Sequence, residues 1–380
     1  MESLNKKILK SASRIVIKVG SSLLINERNN LIDKKVLNNI CEDIDFLINQ
    51  SKEVLIVSSG AFALGKKVLK INNTTNLKIS DKQAVASIGQ ILMINSWREV
   101  LSKYNIVCGQ VLLTHQDAET RRNSINARNT IESLIKFNSI AIINENDTVA
   151  TKELKYGDND QLAARVAQLS CADLLIILSD VDGLYESNPE KNPRAKLIKE
   201  VKIINKQIEK ISENTSSKYS VGGMETKIKA AKIALASGCN LIITKGNKDN
   251  PIKKLFKNGK STWFYTHTTA KTARKKWISS QVKILGSIII DDGAEDALKK
   301  GASLLPAGII KVKGIFSKGD TIKVLNKNKK LVCIGFSSYP SKDAKKIAGF
   351  KSGEIKKLLG YHQKDVVIHR DDMVIKNEKY

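Results

Sequence analysis

At 380 residues the chain exceeds one ordinary domain of roughly 100 to 200 residues, so a large and a small domain are expected. No apolar run approaches the roughly 18 residues of a membrane span, and the opening MESLNKKILKSASR lacks the apolar stretch of a secretory signal, which predicts a cytoplasmic protein with no membrane partner. The formal net charge of +26 invites a nucleic-acid reading, but residues 283–380 hold 20 Lys and Arg against 11 Asp and Glu while the rest hold 44 against 27; basicity spread so evenly marks no single binding face.

The first two-thirds alternates short β-branched runs with stretches of helical spacing. Strands are predicted at 14–19, 54–58, 106–114, 140–144, 174–179 and 240–244, and helices near 33–50, 60–70, 81–103, 121–137, 159–170 and 224–237. Continuously apolar strands alternating with helices predict an α/β fold: a three-layer, mostly parallel sheet with helices on both faces. Ligands of such sheets bind at the carboxyl ends of the strands.

The first strand, RIVIKV, leaves through Lys18, Gly20, Ser21 and Ser22. A Lys-x-Gly-Ser exit lets backbone N–H groups approach a phosphate while the lysine supplies a point charge; the alternative is an edge-strand lysine reaching water. The second strand ends in Ser58, Ser59 and Gly60, where GAFALGKK nearly spells a phosphate-binding P-loop. Lys67 stands where a magnesium-ligating Ser or Thr is required, so this stretch reads as an ordinary helix start. The strand at 140–144 runs into NENDTVAT, with Asn144, Asn146 and Asp147. KYGDNDQLAARVA then places Asp158, Asn159 and Asp160 at the mouth of a helix. One such residue suffices for capping; three in a row suggest a held ligand. Further on, LSDVDGLY presents Ser179, Asp180 and Asp182 after a strand, and VGGMETK offers a second glycine-rich phosphate cradle from Val221 to Lys227. Two lysines flanking a transferred phosphoryl group would stabilise its charge.

Beyond about residue 250 the rhythm changes. A polar, basic stretch up to about 280 precedes short strands with Gly and Asp turns, which predict a small β-barrel. The expected division is 1–265, a linker at 266–282, and a β domain at 283–375. The five cysteines are far apart with no C-x-x-C pair, and are expected as buried, reduced thiols rather than metal or redox ligands.

The ordered set KVGSS, VSSGA, INENDTVAT, GDND, LSDVDGLY and GGMETK resembles the glutamate 5-kinases of the amino-acid kinase family, and ASIGQ, NARNT, SLLP and HRDDM are similar to theirs as well. The tail resembles the PUA domain that many bacterial members carry. The resemblance implies ATP-dependent phosphorylation of the side-chain carboxylate of glutamate, the first step of proline biosynthesis. It makes Lys18 and Lys227 the phosphate-stabilising lysines, with Asp160 orienting them. It assigns glutamate to Ser59, Asp147 and Asn159, with Asn144 and Asp158 close by. The nucleotide falls to Lys18, Ser179, Asp180 and the loop Val221, Gly222, Gly223, Met224, Glu225, Thr226 and Lys227. Family members usually carry Thr at the position of Val221 and a small residue near Glu225, so this loop departs from the pattern.

A free amino acid brings an α-ammonium as well as carboxylates, which accounts for local acidic groups in a basic chain. Its side-chain carboxylate, with a pKa of about 4.3, is ionised at neutral pH and needs no general base, so His115, His267, His362 and His369 are assigned no role. Magnesium is expected to arrive with the nucleotide, since it takes few protein ligands. Aspartate or N-acetylglutamate is the alternative acceptor; the second lacks the α-ammonium. An RNA-binding protein working through the PUA-like tail is the alternative of another class, with Phe316, Phe336, Tyr339, Phe350 and Tyr361 as its few aromatics. The resemblance further implies feedback inhibition by proline, a homo-oligomer, and handover of a labile acyl phosphate to glutamate-5-semialdehyde dehydrogenase.

Overall fold

The computed structural model describes residues 3–26, 31–72, 75–150, 159–189, 191–214, 223–279, 284–361 and 364–376. The chain divides after Ala270 into two compact units. In chain order the first runs α1 (Leu4–Ser11), β1 (Arg14–Val19), α2 (Ser21–Leu24), β2 (Ile25–Asn26), β3 (Leu31–Ile32), α3 (Lys34–Ile48), β4 (Glu53–Ser58), α4 (Ala61–Val68) and α5 (Ile79–Ser102). It continues through β5 (Val107–Leu113), α6 (His115–Glu119), α7 (Arg121–Lys136), β6 (Ser139–Glu145), α8 (Asn159–Leu169), β7 (Leu174–Ser179) and β8 (Glu200–Val201). It closes with α9 (Lys206–Asn214), α10 (Met224–Ala236), β9 (Asn240–Lys245), α11 (Pro251–Leu255) and β10 (Ser261–Phe264).

Eight strands form one sheet in the order β5-β6-β4-β1-β7-β9-β10-β8. Every pair from β5 to β9 is parallel; β10 runs antiparallel to β9, and β8 pairs parallel with β10. Strand β1 lies between β4 and β7, where successive crossovers leave to opposite sides, and an open α/β sheet has its crevice at such a point.

Side chains alternate between the two faces. Ile15, Ile17 and Val19 of β1 join a core with Leu37, Ile44, Met93 and Trp97, under α3 and α5. Val16 joins the other core, with Ile131, Leu162, Val166 and Ala231, under α7, α8 and α10. By the two-residue period of a strand, Lys18 faces the side of α8 and α10.

The polar stretch after residue 250 holds more order than its composition predicts. Trp263 and Phe264 of β10 are buried in opposite cores, which makes a four-residue strand worth forming although lysines and Gly259 surround it. Among the described residues no helix is long and apolar enough to cross a membrane. All five cysteines are free; Cys41, Cys239 and Cys333 are buried, whereas Cys108 and Cys171 are half-buried rather than enclosed.

The second unit contains all but the first residue of α12 (Ala270–Ser279), then β11 (Gly286–Ile290), α13 (Asp292–Lys299), β12 (Ile309–Gly314), β13 (Thr321–Leu325), β14 (Leu331–Phe336), α14 (Ser341–Ile347), α15 (Ile355–Leu359) and β15 (Met373–Ile375). Its five strands pair in the order β12-β11-β13-β14-β15, around a core that includes Ile288, Ile322, Val324 and Ile368. Phe316 and Tyr339 are buried there and Phe336 is buried as well, whereas Phe350 and Tyr361 are exposed.

Candidate active site

The end of β1 brings Lys18 to the crevice with only 6% of its surface exposed. An ammonium buried to that degree requires a partner. Asp160, in the first turn of α8 and 0% exposed, sets Oδ1 2.7 Å from Lys18 Nζ. The contact is an ion pair between two buried groups. The other oxygen, Oδ2, accepts from Lys227 Nζ at 3.2 Å and from Thr226 Oγ1 at 3.0 Å. Lys227 is likewise buried, in the first turn of α10, where Gly223 is the N-cap. One carboxylate therefore serves two ammonium groups. Burial alone would raise the Asp160 pKa, but Lys18 and Lys227 hold it below the usual carboxylate range, and the N-terminal end of the helix dipole favours the same anion. The water-reaching lysine considered from sequence is thereby excluded for Lys18.

The preceding residue opens a second cluster. Asn159 Nδ2 lies 2.7 Å from Ser59 Oγ, 2.9 Å from Asn144 Oδ1 and 3.0 Å from the Ser58 carbonyl. Asn144 in turn donates to Gln90 Oε1 at 2.7 Å, and Trp97 Nε1 donates to Ser58 Oγ at 2.9 Å. The side chains of Ser58 and Asn144 share the α5 face with Ile56 and Ile142, whereas α8 covers the opposite face; the amide network crosses the carboxyl edge of the sheet from one helical layer to the other. Adjacent residues of one helix, Asn159 and Asp160, thus anchor the amide cluster and the lysine cluster.

Asp147 lies on the loop after β6, partly buried, and no ion pair to it is present among the described residues. Burial without a counter-charge pushes its pKa up to about 6. Ser179 and Asp180 follow β7, joined by a 2.9 Å hydrogen bond from Ser179 Oγ to Asp180 Oδ1. Met224 packs against the core, and Glu225 forms an ion pair with Lys229 at 2.7 Å. Asp158, Val221, Gly222 and His362 lie outside the described residues.

Sequence reasoning placed Thr226 in a phosphate loop and missed its hydrogen bond to Asp160. It also missed Gln90 and Trp97 altogether; ASIGQ was noticed only as a similarity. The near P-loop proves to be a helix crossing: a Cβ on Gly65 would come 1.8 Å from the Val85 carbonyl oxygen, and one on Gly89 would come 1.7 Å from that of Ala61. Gly65 is there for close packing of α4 on α5.

A mostly parallel sheet whose crevice holds two buried lysines on one carboxylate belongs to the α/β class, and its relatives are kinases. Residues 13–245 match the amino acid kinase family and residues 286–359 match the PUA domain; the chain belongs to the amino acid kinase family and carries a PUA domain. Within that family it is similar to a protein of Pelagibacter ubique named glutamate 5-kinase, 53% identical over 366 residues that span 96% of this chain and 99% of that relative. A glutamate 5-kinase of Agrobacterium fabrum is 48% identical over 373 residues, 98% of this chain and 95% of that protein.

Proposed function

We propose that this chain transfers the γ-phosphoryl group of ATP to the side-chain carboxylate of L-glutamate, giving L-glutamate 5-phosphate and ADP, and so begins proline biosynthesis in the cytoplasm. The observation that carries the reading is the buried carboxylate of Asp160 shared by Lys18 and Lys227, beside an amide cluster anchored by the next residue of the same helix. The 53% and 48% identity to proteins named glutamate 5-kinase supports glutamate as the acceptor.

In this mechanism a glutamate carboxylate oxygen attacks the γ-phosphorus. The bond from that phosphorus to the bridging oxygen breaks, and its electron pair leaves with ADP. The nucleophile is already ionised, so no side chain takes a proton. Lys18 and Lys227 stabilise the charge that spreads over the phosphoryl oxygens, and Asp160 holds both ammonium groups in place without itself touching the transferred group. Ser59, Asn144 and Asn159 fix the acceptor, while Asp147 and Asp158 receive its α-ammonium. Ser179, Asp180 and the loop Val221 to Lys227 hold the nucleotide. Both oxygens of Asp160 are engaged, so that carboxylate does not fit a metal. Magnesium enters as the companion of the ATP phosphates.

The reading includes proline as an inhibitor at or near the acceptor site, a homo-oligomeric enzyme, and handover of the acyl phosphate to the dehydrogenase that consumes it. Initial rates with glutamate, aspartate and N-acetylglutamate, each with and without millimolar proline, test specificity and inhibition together. Glutamate is expected to be preferred by at least tenfold in kcat/KM and to be inhibited by proline. A preference for aspartate or N-acetylglutamate would overturn the assignment.

A further inference from the structure

Along α5, Gln83, Gln90 and Trp97 recur every seven residues. Seven residues are close to two helical turns, so the three lie in one stripe. All three donate or accept toward the segments that carry the proposed acceptor site. Gln83 Nε2 donates to the Ala150 carbonyl at 3.0 Å, beyond Asp147 on the same loop. Gln90 Oε1 accepts from Asn144 at the end of β6. Trp97 Nε1 donates to Ser58 Oγ at the end of β4. The close approach of Gly89 to Ala61 and Gly65 of α4 sets the depth at which Gln90 meets the strand ends.

Gln90 stands apart from the other two. It is 9% exposed, and among the described residues its Nε2 is a buried donor without a hydrogen-bond acceptor. The direction of the network leaves it so. Asn159 donates to Asn144, and Asn144 donates to Gln90, so the Gln90 oxygen must face Asn144 and its amide nitrogen is left over. A buried donor without a partner costs stability that an apolar side chain of the same shape would not. Such an exception is found where a residue serves function at the expense of the fold.

We infer that Gln90 is a positioning residue for acceptor binding: through its carbonyl oxygen it orients Asn144, which orients Asn159 and Ser59, and it does so at a cost to stability. The inference rests on the proposed assignment of Ser59, Asn144 and Asn159 to the acceptor. Gln90 acts on the acceptor side, because among the described residues no side-chain hydrogen bond joins its network to the Lys18, Asp160 and Lys227 cluster; the two meet only through backbone, where Asn159 precedes Asp160 in α8 and the Ser59 N–H donates to the Val19 carbonyl beside Lys18.

The test is a Gln90→Met variant of the full-length protein, with Gln90→Leu as a second apolar replacement should methionine fail to fold, measured beside Asn144→Ala and the double variant. The wild type is assayed first: no glutamate-dependent turnover there defeats the assignment of the substrate, whereas turnover there followed by an unchanged variant defeats only the role of Gln90. The expected result is a KM for glutamate raised about tenfold or more, a KM for ATP within twofold of wild type, and a melting temperature near that of wild type, since the variant removes one buried donor without an acceptor, Gln90 Nε2, and leaves another, Asn144 Nδ2. The double variant is expected to be no worse in glutamate KM than Asn144→Ala, since contacts in one network are not additive. A lowered melting temperature with both KM values unchanged, parallel rises in both KM values, or penalties that multiply in the double variant would each overturn it.

Discussion

With both oxygens of Asp160 committed to Lys18, Lys227 and Thr226, the carboxylate works by placing cations rather than by taking a proton, and its depressed pKa keeps it charged throughout the working range. Asp147 is the opposite case. Burial has raised it to about 6 with no counter-charge beside it among the described residues, so an incoming α-ammonium would offset that burial. The sign of the pH effect follows: the cation binds the deprotonated carboxylate and lowers its pKa, so affinity is full above about 6 and falls as the pH drops below it. The KM for glutamate is expected to rise about tenfold for each pH unit below 6, and in Asp147→Asn to be high and flat over that range. A wild-type KM that is level from pH 7 to 5 would contradict the role given to Asp147. At this scale the sequence showed which residue types gather after the strands, but Thr226, Gln90 and Trp97 could not be seen to join them. Gln90 lies 54 positions from Asn144, and nothing local marks such a pairing.

The helices and strands differ in how plainly they are written. Strands β1, β4, β6, β7 and β9 are β-branched runs buried on both faces, and their spans were legible within a residue or so. Strand β10 was not, because its four residues lie among lysines and owe their order to cores that other segments build. The crossing of α4 and α5 was hidden behind a motif. GAFALGKK resembles a phosphate loop, yet Gly65 and Gly89 are required where the two helices touch backbone to backbone. A methyl group at either position must push the helices apart, and overpacking of this kind costs typically 1–3 kcal/mol, occasionally more. Gly89→Ala is therefore expected to destabilise the first unit by about 3 kcal/mol and, by lifting Gln90 away from Asn144, to weaken glutamate binding in the fraction that remains folded. Denaturant unfolding followed by Trp fluorescence checks the first effect; an unchanged midpoint would show that the crossing is looser than it is drawn.

For the whole molecule, the division into two units and the mostly parallel sheet were legible from the change of rhythm along the chain. Net charge was the poorer guide, since +26 spread over both units pointed to no partner. The second unit buries Phe316 and Tyr339 in its own core, and Phe336 is buried too, which leaves few aromatics for stacking on bases. Every described residue of the proposed site lies within the first unit, which ends at Ala270. Residues 1–270 expressed alone are therefore expected to retain glutamate-dependent ADP release within about tenfold of the full chain, the loss reflecting stability rather than chemistry; a complete loss in a soluble, folded fragment would assign the second unit a part in the site. The most direct test of the account is the trapping of acyl phosphate as hydroxamate from ATP and glutamate, comparing the wild type with Lys18→Ala and Asp160→Asn. The lysine pair predicts hydroxamate formation that depends on both substrates in the wild type and falls by about 10² to 10³ in each folded variant; hydroxamate formed at undiminished rate by either variant would contradict it.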